Sequence, residues 1–99
     1  MARFAVYRHR RDDLLLIDCQ ADRLSYLPTR FVVPLLPRPG VPSIVPGLHP
    51  IVDIGGIEMV MATQLAAAVT VQELGKRVLM LDDDDHRIVR ALDTLIGTA

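Results

Sequence analysis

Four consecutive aspartates, Asp82 to Asp85, run straight into His86 and Arg87. Carboxylates beside an imidazole are metal-ligand types, but ligands must converge on one point. Neighbouring residues on a helix point about 100° apart. The run therefore chelates only if distant residues join it. The alternation of acids with a glycine and a distal glutamate that marks a calcium loop is absent. The run fits the start of a helix better than a metal site or a functional acidic patch. One aspartate then accepts free backbone N–H groups of the first turn, and its neighbours sit against the positive end of the helix dipole.

The remaining reactive side chains are sparse. His9, His49 and His86 have no metal-like spacing, and His49, in Leu48-His49-Pro50, reads as a loop residue. There are two serines, Ser25 and Ser43, and neither stands in a Gly-x-Ser-x-Gly turn. No glycine-rich phosphate loop is present. Arg8, Arg10 and Arg11 could touch phosphate, but Asp12 and Asp13 follow at once, which reads as a solvated turn. Nothing here argues for an enzyme, a metal or a cofactor.

The elements that would position these residues follow from composition and period. The chain of 99 residues is read as one domain, 1–99. Its apolar content of 51% is high for a small domain. A sphere of this size cannot hide so many apolar side chains, so an apolar patch and a partner are expected, most simply a second copy. The net charge of −1 gives no global basic field for nucleic acid. Cys19 stands alone, so it cannot form an intrachain disulfide. No run has the length of a membrane span or the pattern of a signal peptide, and the reading is a soluble, cytoplasmic protein.

Three strand-like runs open the chain: Arg3 to His9, Leu14 to Gln20 and Arg30 to Leu36. Pro34 inside the third demotes it to an edge or bulged strand, because proline cannot donate to a ladder. From Pro34 to Pro50 lie six of the seven prolines, which predicts a long, stiff surface loop of the kind that is more often functional than decorative. Gly55-Gly56 between two β-like runs predicts a tight hairpin. Leu65 to Val69 is left open between helix and strand, and Val69 to Leu81 reads as strand pieces broken at Gly75. Ile88, Val89, Leu92, Leu95 and Ile96 then form one apolar stripe of a helix. The fold class is mainly β (α+β), closed by one C-terminal helix. Residue chemistry alone stops at a small interaction protein.

The order of the blocks resembles a known family. Phe4, Val6 and Tyr7 in the first strand, Ile17-Asp18-x-Gln20-x-Asp22, Val32 to Leu35, and Leu48 to Gly55 resemble the CcdB toxins of bacterial toxin–antitoxin modules. The likeness covers nearly the whole chain. It implies an SH3-like, strongly bent antiparallel sheet of the CcdB/MazF type, and a homodimer. It implies binding to the A subunit of DNA gyrase and trapping of the cleaved-DNA complex. It also implies a CcdA-like antitoxin with a disordered tail, and operator DNA bound only through the toxin–antitoxin complex. On the gyrase side it points to Phe4, Tyr7, Arg23, Leu24, Asp93, Gly97, Thr98 and Ala99. On the antitoxin side it points to Arg8, Arg10, Arg38, Val41 and Ile44, the last three in a variable loop.

The sequence departs from that pattern at the functional end. Gyrase-poisoning members end in Trp-Gly-Ile, where this chain has Gly97, Thr98 and Ala99. Loss of such an aromatic anchor commonly removes several kcal/mol of binding. A pair of isoleucines in the family corresponds to Arg23 and Leu24, and a helix asparagine to Asp93. A homologue that keeps the fold and the antitoxin without poisoning gyrase is therefore the alternative. A MazF-like endoribonuclease is a third reading. It needs a basic groove and acid–base groups facing RNA, and the charge balance and lack of a clear basic cluster weigh against it.

Overall fold

Thr29 to Pro37 is the longest strand, β3, and the rest of the sheet is arranged around it in the computed structural model, which describes residues 2–97. Its aliphatic run Val32-Val33-Pro34-Leu35 is buried on both faces, which suits a central strand. On one side β3 pairs with β2 (Leu15–Asp18), which pairs in turn with β1 (Ala5–His9). β1 continues to β7 (Leu74–Met80). On its other side β3 pairs with β5 (Ile57–Met61) through its C-terminal half and with β6 (Ala67–Thr70) through its N-terminal half. β4 (Ile51–Ile54) completes the order β4-β5-β3-β2-β1-β7. The result is a curled antiparallel half-barrel with one helix, α1 (Asp85–Ile96), after the last strand.

The expected demotion of the third strand does not hold. Pro34 sits mid-strand opposite Leu16. Its carbonyl accepts the Ala62 N–H at 2.9 Å. In extended backbone a residue's N and C=O face the same side, so the missing N–H of Pro34 also faces Ala62. There β5 has ended and a 3-10 turn, Thr63–Leu65, interrupts the way to β6. The proline costs no ladder bond because the ladder is already interrupted where its N–H would have donated. The Pro-rich loop is correspondingly shorter than predicted: its first residues belong to β3, and the excursion begins at the 3-10 turn Arg38–Gly40.

Gly75 is likewise no break. It lies inside β7, at a register shift between Tyr7 and His9 of β1. A Cβ there would stand 2.9 Å from the Arg8 carbonyl oxygen, so glycine is what allows the strands to close. The segment left open after Met61 becomes the Thr63–Leu65 turn followed by β6. The Gly55-Gly56 hairpin is as expected: both glycines have positive φ, 61° and 89°, and Asp53 Oδ1 accepts the Gly56 N–H.

Two cores lie on opposite faces of the sheet. The larger holds Val6, Ile17, Cys19, Val33, Leu35, Val52, Met61 and Leu81, sealed by Ile88 and Ala91 of α1. The smaller holds Ala5, Tyr7, Leu16, Val32 and Leu74. The acidic run starts the helix as expected, with a 3-10 turn over Asp82–Asp84. The N-cap residue, Asp84, makes no side-chain cap bond, although Asp85 Oδ1 accepts the His86 N–H at 2.6 Å. Asp84 instead accepts from Arg87 Nη1 at 2.8 Å, while Arg87 Nη2 donates to the Ile51 carbonyl. The run therefore ties the helix start to the edge strand β4 through Arg87.

Beside the small core Arg30 of β3 and Asp18 of β2 are both fully buried. Arg30 Nε and Nη2 donate to Asp18 Oδ2 at 3.0 and 2.6 Å, and Nη1 has no partner. Asp18 Oδ1 accepts the Gln20 N–H, so the carboxylate also closes the chain at the end of β2. Two buried charges are tolerated only together. Arg30→Ala leaves Asp18 unpaired and is expected to cost about 3–5 kcal/mol by urea unfolding. The paired change Asp18→Leu with Arg30→Met is expected to recover most of that loss. A single-variant loss near zero would show that the pair is not what holds β2 to β3.

Candidate functional site

The helix end is the first candidate surface. The stripe of α1 is buried at Ile88, half-buried at Val89 and Leu92, and open at Leu95 and Ile96, of which Ile96 is 70% exposed. Gly97 closes the helix in the left-handed conformation, φ 83°, with its N–H on the Asp93 carbonyl. Asp93 is half-buried one turn before. Thr98 and Ala99 lie outside the described residues. α1 packs against the Thr63–Leu65 turn, where Leu65 is also exposed. The apolar surplus foreseen from composition thus surfaces in part at this end of the molecule.

Phe4 and Tyr7 are placed in the two cores, each 7% exposed. Phe4 takes a positive φ of 69° and carries the Arg3 guanidinium 4.6 Å above its ring. Arg23 is exposed and Leu24 half-buried, on the 3-10 turn Asp22–Leu24. That turn is held by side chains from the second-strand motif. Gln20 donates to the Leu24 carbonyl and accepts the Phe31 N–H, and Asp22 accepts the Arg3 N–H. Gln20 and Asp22 therefore satisfy strand-end backbone, and in doing so they present Arg23 beside the entry to β1.

A second surface runs across the ends of the central strands. Arg8, Leu15, Leu35, Pro37 and Met59 line an open concavity of about 460 Å³. Arg38, Pro39, Val41, Ile57 and Glu58 line the next, of about 520 Å³. Pro37 and Met59 of the first are chain neighbours of Arg38 and Glu58 of the second, so the two adjoin. Arg8, Arg38 and Val41 share this groove. Ile44 is half-buried further along the loop and lines neither half. Arg10 is elsewhere, donating to the Gln72 and Leu74 carbonyls. The loop is pinned at its far end by His49, which is buried rather than loose: Nδ1 accepts the Val45 N–H, and Nε2 pairs with Gln64 at 2.7 Å.

The third cluster has the residue types of acid–base chemistry. His9 lies between Asp12 and Glu73, with Arg10 and Arg11 alongside. Both ring nitrogens are engaged, Nδ1 by the Arg11 N–H at 3.2 Å and Nε2 by Glu73 at 3.4 Å. A general base needs a nitrogen free for substrate, so this arrangement works as a fastener between the β1–β2 turn and β7. Cys19 is equally inert, since burial pushes its thiol up to about 12, with Asp18 adding to the shift.

The fold agrees with a family model. The model described as CcdB protein matches residues 3–97. The chain belongs to the CcdB family. A comparison with curated proteins finds no match. Membership makes this a CcdB-like toxin of the toxin–antitoxin class. No helix among the described residues is long and apolar enough to cross a membrane. Against the CcdB pattern, the residue that sequence reading missed is Arg30. Its partner Asp18 was visible in the Ile17-Asp18-x-Gln20 motif, but no local signal marks an arginine that ends up wholly buried.

Glu73 carries a pH prediction for this CcdB chain. Its carboxylate accepts the Thr70 N–H in a capping box, then bonds to His9 and the Thr70 hydroxyl, and these contacts hold its pKa below the ordinary value. A carboxylate with a lowered folded pKa adds stability above its unfolded pKa and loses it as pH falls through the folded value. The melting temperature should therefore fall more steeply on acidification for the native chain than for Glu73→Gln. Identical acid profiles would show that Glu73 contributes nothing through its charge.

Proposed function

We propose that the chain is a homodimeric toxin that binds the A subunit of DNA gyrase, traps the enzyme with its DNA cleaved, and is neutralised by a CcdA-like antitoxin. Family membership supports the class of partner. The observation that carries the site is the exposed apolar end of α1, Leu95 and Ile96 beside Gly97. A poison of this kind needs no reacting group. It needs a rigid surface with a higher affinity for one state of its target, and a two-fold dimer matches a two-fold enzyme. Arg23 on its braced turn, Asp93 and the 97–99 end complete the proposed gyrase side, with Phe4 and Tyr7 supporting it from the cores. Tyr26 and Leu65 offer apolar surface for the second copy. The groove of Arg8, Arg38 and Val41 is the proposed place for the antitoxin tail, with Arg10 and Ile44 at its margins. The cytoplasm, where gyrase works, is the proposed compartment.

A second reading is favoured by one feature. Gly97-Thr98-Ala99 replaces the aromatic ending of poisoning members, so gyrase binding and poisoning can separate. A ribonuclease reading is disfavoured by the occupied ring of His9.

Binding is tested by titrating the purified chain against the gyrase A subunit in a calorimeter. Saturable binding is expected. Ile96→Glu, at a site outside the core, should weaken it about tenfold or more with an unchanged melting temperature. Absence of heat at any concentration of a folded chain would remove gyrase as the target.

A further inference from the structure

The sheet gathers cations that the sequence keeps apart. β7 pairs with β1 so that Arg77 stands opposite Tyr7 and Leu74 opposite His9. Lys76 and Arg77 thereby arrive beside Arg8, Arg10 and Arg11. All five are exposed, and none forms an ion pair among the described residues. Arg10 spends its donors on two neutral carbonyls. The nearby carboxylates are Glu73, which bonds to His9 and Thr70, Asp12, which accepts the Leu14 N–H, and Asp13. The outer edge of β7 is unpaired among the described residues. Arg10, Arg11, Lys76 and Arg77 therefore gather along one sheet edge, while Arg8 turns toward the groove of Leu35 and Met59.

Asp12, Asp13 and Glu73 offset part of this charge locally, and a further block of negative charge lies at the other end of β7. Asp82 to Asp85 follow the strand, and Arg77 is five residues from Asp82, roughly 15 Å along extended chain. That exceeds the screening length of about 8 Å at physiological salt. The net charge of −1 thus hides a polar molecule with a locally positive edge. Arginine predominates there, and its planar fork suits phosphate oxygens. The edge also lacks the apolar anchors that a folding peptide tail needs: of the large exposed apolar residues, only Val78 lies on β7.

We infer that this edge binds the phosphate backbone of duplex DNA directly and without sequence preference. The contact goes beyond gyrase binding, which needs only a protein surface, and it departs from the expectation that DNA is met only through the antitoxin complex. Phosphates bound by Lys76 and Arg77 displace counterions, so affinity falls with salt.

The test is fluorescence anisotropy of a short labelled duplex of arbitrary sequence with the purified chain alone, across a salt series. Micromolar-range binding at low salt, weakening as salt rises, is expected. Lys76→Glu with Arg77→Glu should weaken binding about tenfold or more and lower the salt slope by about two. Arg77→Glu alone should also weaken it. Arg90→Glu, matched to it in charge but placed on α1, should not. Circular dichroism melts check that each variant is folded. Three results would overturn the inference: no binding at low salt, equal loss from Arg77→Glu and Arg90→Glu, or displacement of the duplex by poly-glutamate at equal charge concentration.

Discussion

The buried pair Asp18–Arg30 is the constraint around which the sheet is assembled. Neither charge is tolerable without the other in a site with no solvent access. Their side chains meet only if β2 and β3 adopt the register that places Asp18 opposite Val32, two residues from Arg30. A one-residue slip would turn each side chain to the other face. The pair thus selects one register for the central hairpin, and the outer strands inherit it: β5 and β6 from β3, β1 and β7 from β2. The same carboxylate stops β2 by accepting from Gln20, and Gln20 goes on to brace the turn that bears Arg23. One ionic contact in the sheet is therefore linked, through two side chains, to a residue proposed to face gyrase.

The structure divides labour between rigid and open parts. Each proposed surface is a projection from fixed backbone: the end of a helix packed on the larger core, a turn held by Gln20 and Asp22, a loop pinned by His49. His9, the side chain best suited to acid–base chemistry, serves instead as a link between strands. This is the arrangement expected of a protein that acts by occupying a site on another. Rigidity lowers the entropy lost on binding, and the exposed apolar residues supply contact area.

How far this could be read from the sequence depended on how local each determinant is. Gly55-Gly56 and the stripe from Ile88 to Ile96 are set by neighbours within a turn of chain, and both were legible. Pro34 misled because its tolerance comes from an interruption near Ala62, far along the chain, that removes the bond it would have broken. Gly75 misled for a similar reason: it serves the close approach of Arg8 in another strand. The acidic run was legible as a helix start, and Asp85 accepts a first-turn N–H, yet the N-cap residue Asp84 serves instead in a link through Arg87 to β4. Arg30 is separated from Asp18 by twelve positions and carries no periodic mark. The basic edge needs β1 and β7 to meet before it exists. The proposed site was legible only through the family blocks, and its decisive end falls on residues where this chain departs from them.

The central claim is that a CcdB chain ending in Gly97-Thr98-Ala99 still poisons gyrase. It is tested most directly by incubating the folded protein with gyrase from its own host, supercoiled plasmid and ATP, then denaturing the enzyme and scoring linear DNA. The account predicts linear product that grows with protein concentration and disappears when the antitoxin is added. Supercoiled plasmid alone, from a chain shown to bind the gyrase A subunit, would contradict it and leave a CcdB-fold protein that holds its target without trapping the break.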